Sequence, residues 1–156
     1  MDDNEQPVPV YEYDVVNRSE GGLKVRRLGA TAQPVAVGEV VGLMEPGARR
    51  WSIGVMRWVT VFEEGGMEFG VQFLAPSALP VAVQPTITSS ASQVRLGLLA
   101  DSDEQPGVYE TLVAPINTYS ELREFELDNG GEISRVRARA LIEKTARFEF
   151  FHVSPS

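Results

Sequence analysis

The loop NRSEGGL at residues 17–23 has the residue types best suited to chemistry in this sequence. It lies between two apolar segments and contains an amide at Asn17, a hydroxyl at Ser19 and a glycine at position 22. An amide side chain both donates and accepts hydrogen bonds, and a hydroxyl can do either. The same residues are typical of a turn, in which a side chain bonds a backbone N–H two residues on and glycine supplies a positive φ. The loop is therefore either a polar binding site or a capped turn.

Composition excludes several other kinds of site. The 156-residue chain has no cysteine, which rules out disulfides, thiolate metal sites and cysteine nucleophiles. Its one histidine, His152, follows the apolar segment FEFF, and we expect it to lie at the end of a strand and not to act as a base. The sequence thus predicts no catalytic residue, no metal and no cofactor.

The charge of the chain limits its partners. The net charge is −8, and residues 1–84 and 85–156 each hold 7 basic and 11 acidic side chains. A long nucleic acid is excluded, because phosphate binding needs a positive face, although a small anion could bind locally. No segment approaches the roughly 20 apolar residues that cross a bilayer, and the acidic start MDDNEQ lacks the features of a secretory signal. We expect a cytoplasmic chain without membrane insertion.

Short valine-rich segments that alternate apolar and polar residues recur along the chain, separated by glycine, proline and acidic turns. This pattern predicts an all-β fold. We expect hairpin turns at 45–50, 63–67 and 128–131, and five strands within residues 92–156. Before them, six antiparallel strands are predicted to close into one barrel, at about 9–16, 22–28, 39–44, 51–62, 67–74 and 79–84.

A change in composition predicts two domains. Residues 85–91, PTITSSA, carry no charge and no periodic pattern, which is typical of a linker. We therefore expect a six-stranded barrel at 1–84 and a second small β domain at 92–156. Because small β domains bury limited apolar area, the two are expected to share an interface. In the second domain, the segment RVRAR at 135–139 is expected to be a strand whose arginines face water.

The order of motifs that begins at this loop resembles that of the PilZ domain family. That family has an Asp or Asn, a Ser and a Gly in a loop that opens a strand, followed by a G-V-x-x-W strand and a G-V-x-F strand. The resemblance covers about residues 8–84 and implies a six-stranded antiparallel barrel. The matching residues are Asn17, Ser19 and Gly22, then Gly54, Val55 and Trp58, then Gly70, Val71 and Phe73.

The second and third motifs also have a physical explanation in a barrel. Gly54 and Gly70 are expected to omit a side chain where two strands approach closely. Val55, Val71 and Phe73 are expected to lie in the core, as a period of two requires. The two tryptophans are expected to pack as core or interface aromatics.

The resemblance also implies a ligand. PilZ domains are receptors for cyclic di-GMP, and by resemblance the ligand-binding residues are Asn17, Arg18, Ser19 and Gly22, with the amide and hydroxyl bonding a guanine edge. The family's R-x-x-x-R motif, whose arginines meet the phosphates and stack on the guanines, is missing, because residues 1–16 contain no Arg or Lys. We therefore expect an incomplete site that binds cyclic di-GMP very weakly or not at all.

The predicted function is that of a non-enzymatic regulatory or adaptor protein of bacterial cyclic di-GMP signalling, which acts on a partner protein. One alternative is a true receptor whose arginines come from another segment or subunit. Another is a structural or assembly subunit that pairs through exposed edge strands. An enzyme that uses Glu63 and Glu64, or Asp101 and Asp103, is the least favoured, because such neighbouring carboxylates are typical of solvated turns.

Overall fold

Eleven strands make up the regular structure, and the part of the chain described contains no helix. The computed structural model describes residues 10–29, 36–87, 94–101 and 109–156. The strands are β1 (Asp14–Arg18), β2 (Gly22–Leu28), β3 (Val40–Leu43), β4 (Ser52–Val61), β5 (Gly66–Ala75), β6 (Ala78–Pro85), β7 (Arg95–Asp101), β8 (Tyr109–Pro115), β9 (Glu124–Asp128), β10 (Ile133–Lys144) and β11 (Phe148–Pro155).

The first five strands form an antiparallel sheet in the order β1-β2-β5-β4-β3. Leu23 and Val25 of β2 lie opposite Val71 and Phe69 of β5, so one face of the sheet is apolar. On the far side of β5, Met56 of β4 also lies opposite Val71. We call this cluster the sheet core, and its buried members are Leu23, Val25, Met56, Met67, Phe69 and Val71.

The remaining six strands close into an antiparallel barrel in the order β10-β11-β8-β7-β6-β9. Phe125 and Phe151 are fully buried inside it, with ring centroids 6.1 Å apart. The segment FEFF can carry three phenylalanines because both faces of β11 are covered. Phe151 belongs to the barrel interior, whereas Phe148 and Phe150 pack against the sheet.

A shared apolar cluster joins the sheet to the barrel, as expected from the sequence. Ile53 and Val55 of β4 belong to the same buried cluster as Val113, Phe148 and Phe150 of the barrel. Because these side chains come from both the sheet and the barrel and are buried together, their packing holds the sheet against the barrel, and no long connecting segment is needed.

The all-β class, with a six-stranded antiparallel barrel beside a second sheet, is confirmed, but the barrel lies in a different part of the chain. The strand predicted at 79–84 does not close the first sheet. It is β6, which pairs with β7 and β9 of the barrel. The chain passes from sheet to barrel at Pro76 and Ser77, between the end of β5 and the start of β6.

The sequence did not predict the position of β6 because alternation determines which face of a strand is buried but not which strand lies beside it. Val81 and Val83 of β6 are both buried, as the period of two predicted, yet the same pattern suits either sheet. The predicted linker at 85–91 begins at the last residue of β6, and its residues 88–91 lie outside the described residues.

Turns and strand faces follow the sequence closely. The three predicted hairpins are present, with Gly47, Gly65 and Gly130 each at a positive φ. Val136 and Ala138 of β10 are buried between outward-facing arginines, which confirms the strand predicted at 135–139.

Candidate functional site

A cleft of about 360 Å³ lies on the face of the five-stranded sheet opposite the sheet core. Strand register explains its position. Asn17 of β1 lies opposite Lys24 of β2, Lys24 lies opposite Gly70 of β5, and Gly70 lies opposite Trp58 of β4. Because directly paired residues share a face, these four positions form one row across four strands. All four line the cleft, together with Ser19.

The loop is exposed and joins two antiparallel strands, as predicted. Its backbone is held at both ends: the N–H of Ser19 donates to the carbonyl of Gly22 at 3.0 Å, and the N–H of Phe73 donates to the carbonyl of Gly21 at 2.8 Å. Neither Asn17 nor Ser19 makes a side-chain hydrogen bond to any residue the structure describes. The turn is therefore closed by backbone groups, and both polar side chains stay available at the cleft.

Gly22 has a role different from the one expected. Its φ is not positive, so it does not supply a left-handed turn. Instead, a Cβ at this position would lie 2.1 Å from the carbonyl oxygen of Val71 on the neighbouring strand. Glycine is required here because β2 and β5 approach too closely for any side chain.

Gly70 creates the space that Trp58 occupies. A Cβ at position 70 would lie 2.2 Å from the indole nitrogen of Trp58, so the ring lies directly on the glycine backbone. Trp58 remains 39% exposed, and Lys24 Nζ lies 5.9 Å from the centre of its ring. Trp58 therefore does not lie in the core, which was one of its two expected positions, because Gly70 gives the ring a place on the open face of the sheet. It forms a wall of the cleft.

The other motif residues lie where strand pairing predicts. Gly54 and Gly70 are on neighbouring strands, and a Cβ on Gly54 would lie 2.4 Å from a methyl group of Val71. Val55 and Val71 are buried, and Phe73 is partly buried against the sheet core. The two valines face opposite ways: Val55 is in the junction with the barrel, and Val71 is in the sheet core.

Arg18 lies on the other face of β1 from Asn17. It is paired with Leu23, whose side chain belongs to the sheet core, and alternation therefore directs it away from the cleft. Its guanidinium forms an ion pair with Glu45 and lies 5.7 Å from the ring centre of Phe73. Arg18 is not among the residues that line the cleft.

Two cations do line the cleft, and sequence reasoning missed both. Lys24 Nζ lies 3.2 Å from Glu68. Arg57 donates to both carboxylate oxygens of Glu143 on the barrel, at 2.5 and 2.7 Å, and to the side-chain oxygen of Gln72 at 2.6 Å. The hydrogen bonds between Arg57 and Glu143 raise the pKa of Arg57 and lower that of Glu143. The only sequence signal was alternation, which places Lys24 on the same strand face as Gly22.

The catalytic alternatives receive no support from the geometry. Glu63 and Glu64 are exposed in the β4–β5 turn, and neither lines the cleft. Asp101 is buried and accepts a hydrogen bond from Ser77 at 3.2 Å, while Asp103 lies outside the described residues. His152 is an exposed residue of β11.

Neither a metal site nor a membrane helix is present in the described ranges. No group of three or more His, Asp or Glu side chains there could hold a metal ion. These ranges also contain no helix that could span a membrane.

Comparison with known proteins identifies a family for the first half of the chain. The family described as "Cyclic-di-GMP receptor FimW, middle PilZ domain" matches residues 1–80, just over half of the chain. The cyclic-di-GMP receptor FimW of Pseudomonas aeruginosa is 27% identical over 157 aligned positions, which cover 98% of this chain and 26% of the relative. The chain thus spans about a quarter of that relative's length. No solved structure gives a significant match. The family motifs and the match over residues 1–80 establish that this chain belongs to the family of the FimW middle PilZ domain.

Proposed function

We propose that this chain is a non-enzymatic regulatory module of bacterial cyclic di-GMP signalling, with a cleft that contacts a guanine of the ligand. The observation that carries this proposal is the convergence of Asn17, Ser19 and Trp58 on one cleft, although Trp58 lies about 40 residues from the other two in the sequence. The family match and the relationship to a cyclic-di-GMP receptor support the choice of ligand.

The cleft has the groups that recognition of a purine requires. The amide of Asn17 can donate and accept along a base edge, and the hydroxyl of Ser19 can add a further bond. The exposed indole of Trp58 offers an aromatic face for stacking. Gly22 contributes by letting the loop lie close to β5. Arg18 is left out of this proposal because it lies on the opposite face of the strand.

Phosphate recognition is the weaker half of the site. Residues 1–16 contain no Arg or Lys, and both cations that line the cleft are already paired with carboxylates. Charged hydrogen bonds contribute roughly 1.5 to 3 kcal/mol each, so the lack of two phosphate-binding arginines removes about 3 to 6 kcal/mol, or a factor of roughly 10² to 10⁴ in affinity. The isolated chain should therefore bind cyclic di-GMP weakly, and we infer that its output passes through contacts with a partner protein.

Titration of the isolated chain with cyclic di-GMP tests the proposal. By calorimetry we expect at most weak heats, while ¹H–¹⁵N NMR should show shifts concentrated at Asn17, Ser19 and the Trp58 indole. Asn17→Ala and Ser19→Ala should reduce these shifts. Ser134→Ala, on an exposed part of β10, is the matched control and should leave them unchanged.

Two outcomes contradict parts of this reasoning. If no resonance shifts up to millimolar ligand, the cleft is not a cyclic di-GMP site. If calorimetry shows tight, stoichiometric binding that Asn17→Ala abolishes, the site is complete, and the chain is a full receptor in its own right.

A further inference from the structure

The ion pair between Arg57 and Glu143 connects the cleft to the barrel. Arg57 lies on β4 of the sheet and lines the cleft, whereas Glu143 lies on β10 of the barrel. The two side chains are 36% and 27% exposed, and the guanidinium meets the carboxylate through two hydrogen bonds. We call this pair the Arg57–Glu143 bridge.

Both residues lie at irregularities in their strands. On β4, Met56 pairs with Val71 and Trp58 pairs with Gly70. Arg57 is therefore an extra residue that the backbone pairing of β4 with β5 leaves out. On β10, the register with β11 shifts again immediately before Glu143. A bulge redirects a side chain, and bulges are common beside functional sites. The two irregularities together place the bridge at the rim of the cleft.

The rest of the junction between sheet and barrel is largely apolar. Ile53, Val55, Phe148 and Phe150 already hold the two sheets together. The bridge differs from that junction because it is partly exposed and shares its arginine with the cleft. A planar guanidinium binds phosphate and carboxylate through the same pair of hydrogen bonds. A phosphate-bearing ligand in the cleft would therefore meet a donor pair that Glu143 currently occupies.

We propose that Arg57 is a phosphate-binding residue of the cleft and that Glu143 competes with the ligand for it. This inference rests on the proposed function. Ligand binding and the contact between sheet and barrel then oppose each other, so a bound nucleotide loosens the β10 side of the barrel from the sheet. By linkage, a partner protein that separates Glu143 from Arg57 raises the affinity for the ligand. Bound ligand raises the affinity for that partner by the same factor.

The test measures cyclic di-GMP affinity by NMR titration in the wild type and four variants. The variants are Glu143→Gln, Arg57→Ala, the double variant, and Glu126→Gln as the matched control. Glu126 lies on β9, carries the same charge and does not line the cleft. A partly exposed ion pair contributes up to roughly 1 kcal/mol, so we expect Glu143→Gln to bind about fivefold more tightly than the wild type. Glu126→Gln should match the wild type, and the double variant should lose the gain.

The outcomes separate this inference from the proposed function. If the wild type and Glu143→Gln bind equally, or if the gain persists without Arg57, the competition is refuted while the cleft remains a ligand site. If no variant binds, both proposals fail. A measurement on the unmodified chain checks the same point: ligand should shift the Arg57 Nε–H resonance and the backbone amide of Glu143, and shifts restricted to the sheet would contradict competition.

Discussion

Replacing Glu149 by glutamine should destabilise the barrel in a pH-dependent way. Glu149 is a residue of β11 that is only 3% exposed. Its carboxylate accepts hydrogen bonds from the backbone N–H groups of Asn117, Thr118 and Tyr119, at 3.2, 2.9 and 2.7 Å. These bonds hold the turn after β8, in which Asn117 has a φ of 68°. A glutamine keeps one accepting oxygen, but an NH₂ group replaces the other oxygen and would face backbone N–H donors.

The magnitude follows from the bonds that are lost. Loss of one hydrogen bond to a charged group costs about 1.5 to 3 kcal/mol, which for a chain of this size lowers the Tm by roughly 3 to 10 °C. Burial raises the pKa of Glu149, but the three backbone donors and the charge of Lys144 together outweigh burial, and the pKa is lowered overall. Its native pKa thus lies below its unfolded pKa. Its stabilising effect is full above the unfolded pKa and is lost as the pH falls through the native pKa.

Urea unfolding followed by circular dichroism, at pH 7 and again below about pH 4, measures this effect. Wild type and Glu149→Gln should differ clearly at pH 7 and converge in acid. Glu132→Gln, in the exposed β9–β10 turn, is the matched control and should match the wild type at both pH values. The reasoning is refuted if the free energy of unfolding is unchanged at pH 7, or if the difference is independent of pH.

Three further substitutions test the sheet. Val71→Ala should cost about 1 to 3 kcal/mol in urea unfolding, through lost burial and a small cavity, and unchanged stability would contradict its place in the sheet core. Gly22→Ala should lower the Tm much more than Gly21→Ala. A Cβ at position 22 would meet a backbone carbonyl, whereas a Cβ at position 21 would meet nothing within 4 Å. Equal effects would refute the close approach of β2 to β5. Gly70→Ala should displace the Trp58 ring and change its fluorescence, whereas an unchanged spectrum would mean that the ring does not lie on the glycine.

Local features of this fold could be read from the sequence because they depend on neighbouring residues. The hairpin glycines and the alternation of Val136 and Ala138 are set by backbone conformation and by the period of a strand. The prediction that the glycines at 54 and 70 lie on adjacent strands is confirmed, because a strand glycine marks a position where a neighbouring group takes the place of a side chain.

The pairing of distant strands could not be read in this way. The apolar pattern of β6 is satisfied equally by the first sheet and by the barrel, so its partner depends on contacts that alternation does not specify. The same limit applies to the cleft. Lys24 and Arg57 meet there only through the register of β1, β2, β5 and β4 and through an extra residue in β4, neither of which leaves a local signal.

The position of β6 has a consequence for how this chain can be divided or exchanged. The family match ends at residue 80, inside β6, so a cut there would divide the strand. Residues 78–80 would leave with the sheet, whereas residues 81–85, which make every β6 pair with β9, would stay with the barrel. β7 would then lose its pairs with Ala78, Leu79 and Pro80, and that end of β7 would become an unpaired edge of the barrel. An exposed strand edge pairs readily with another chain, so cleavage near residue 80 should favour association of the barrel, whereas cleavage at Ser77 would leave β6 whole.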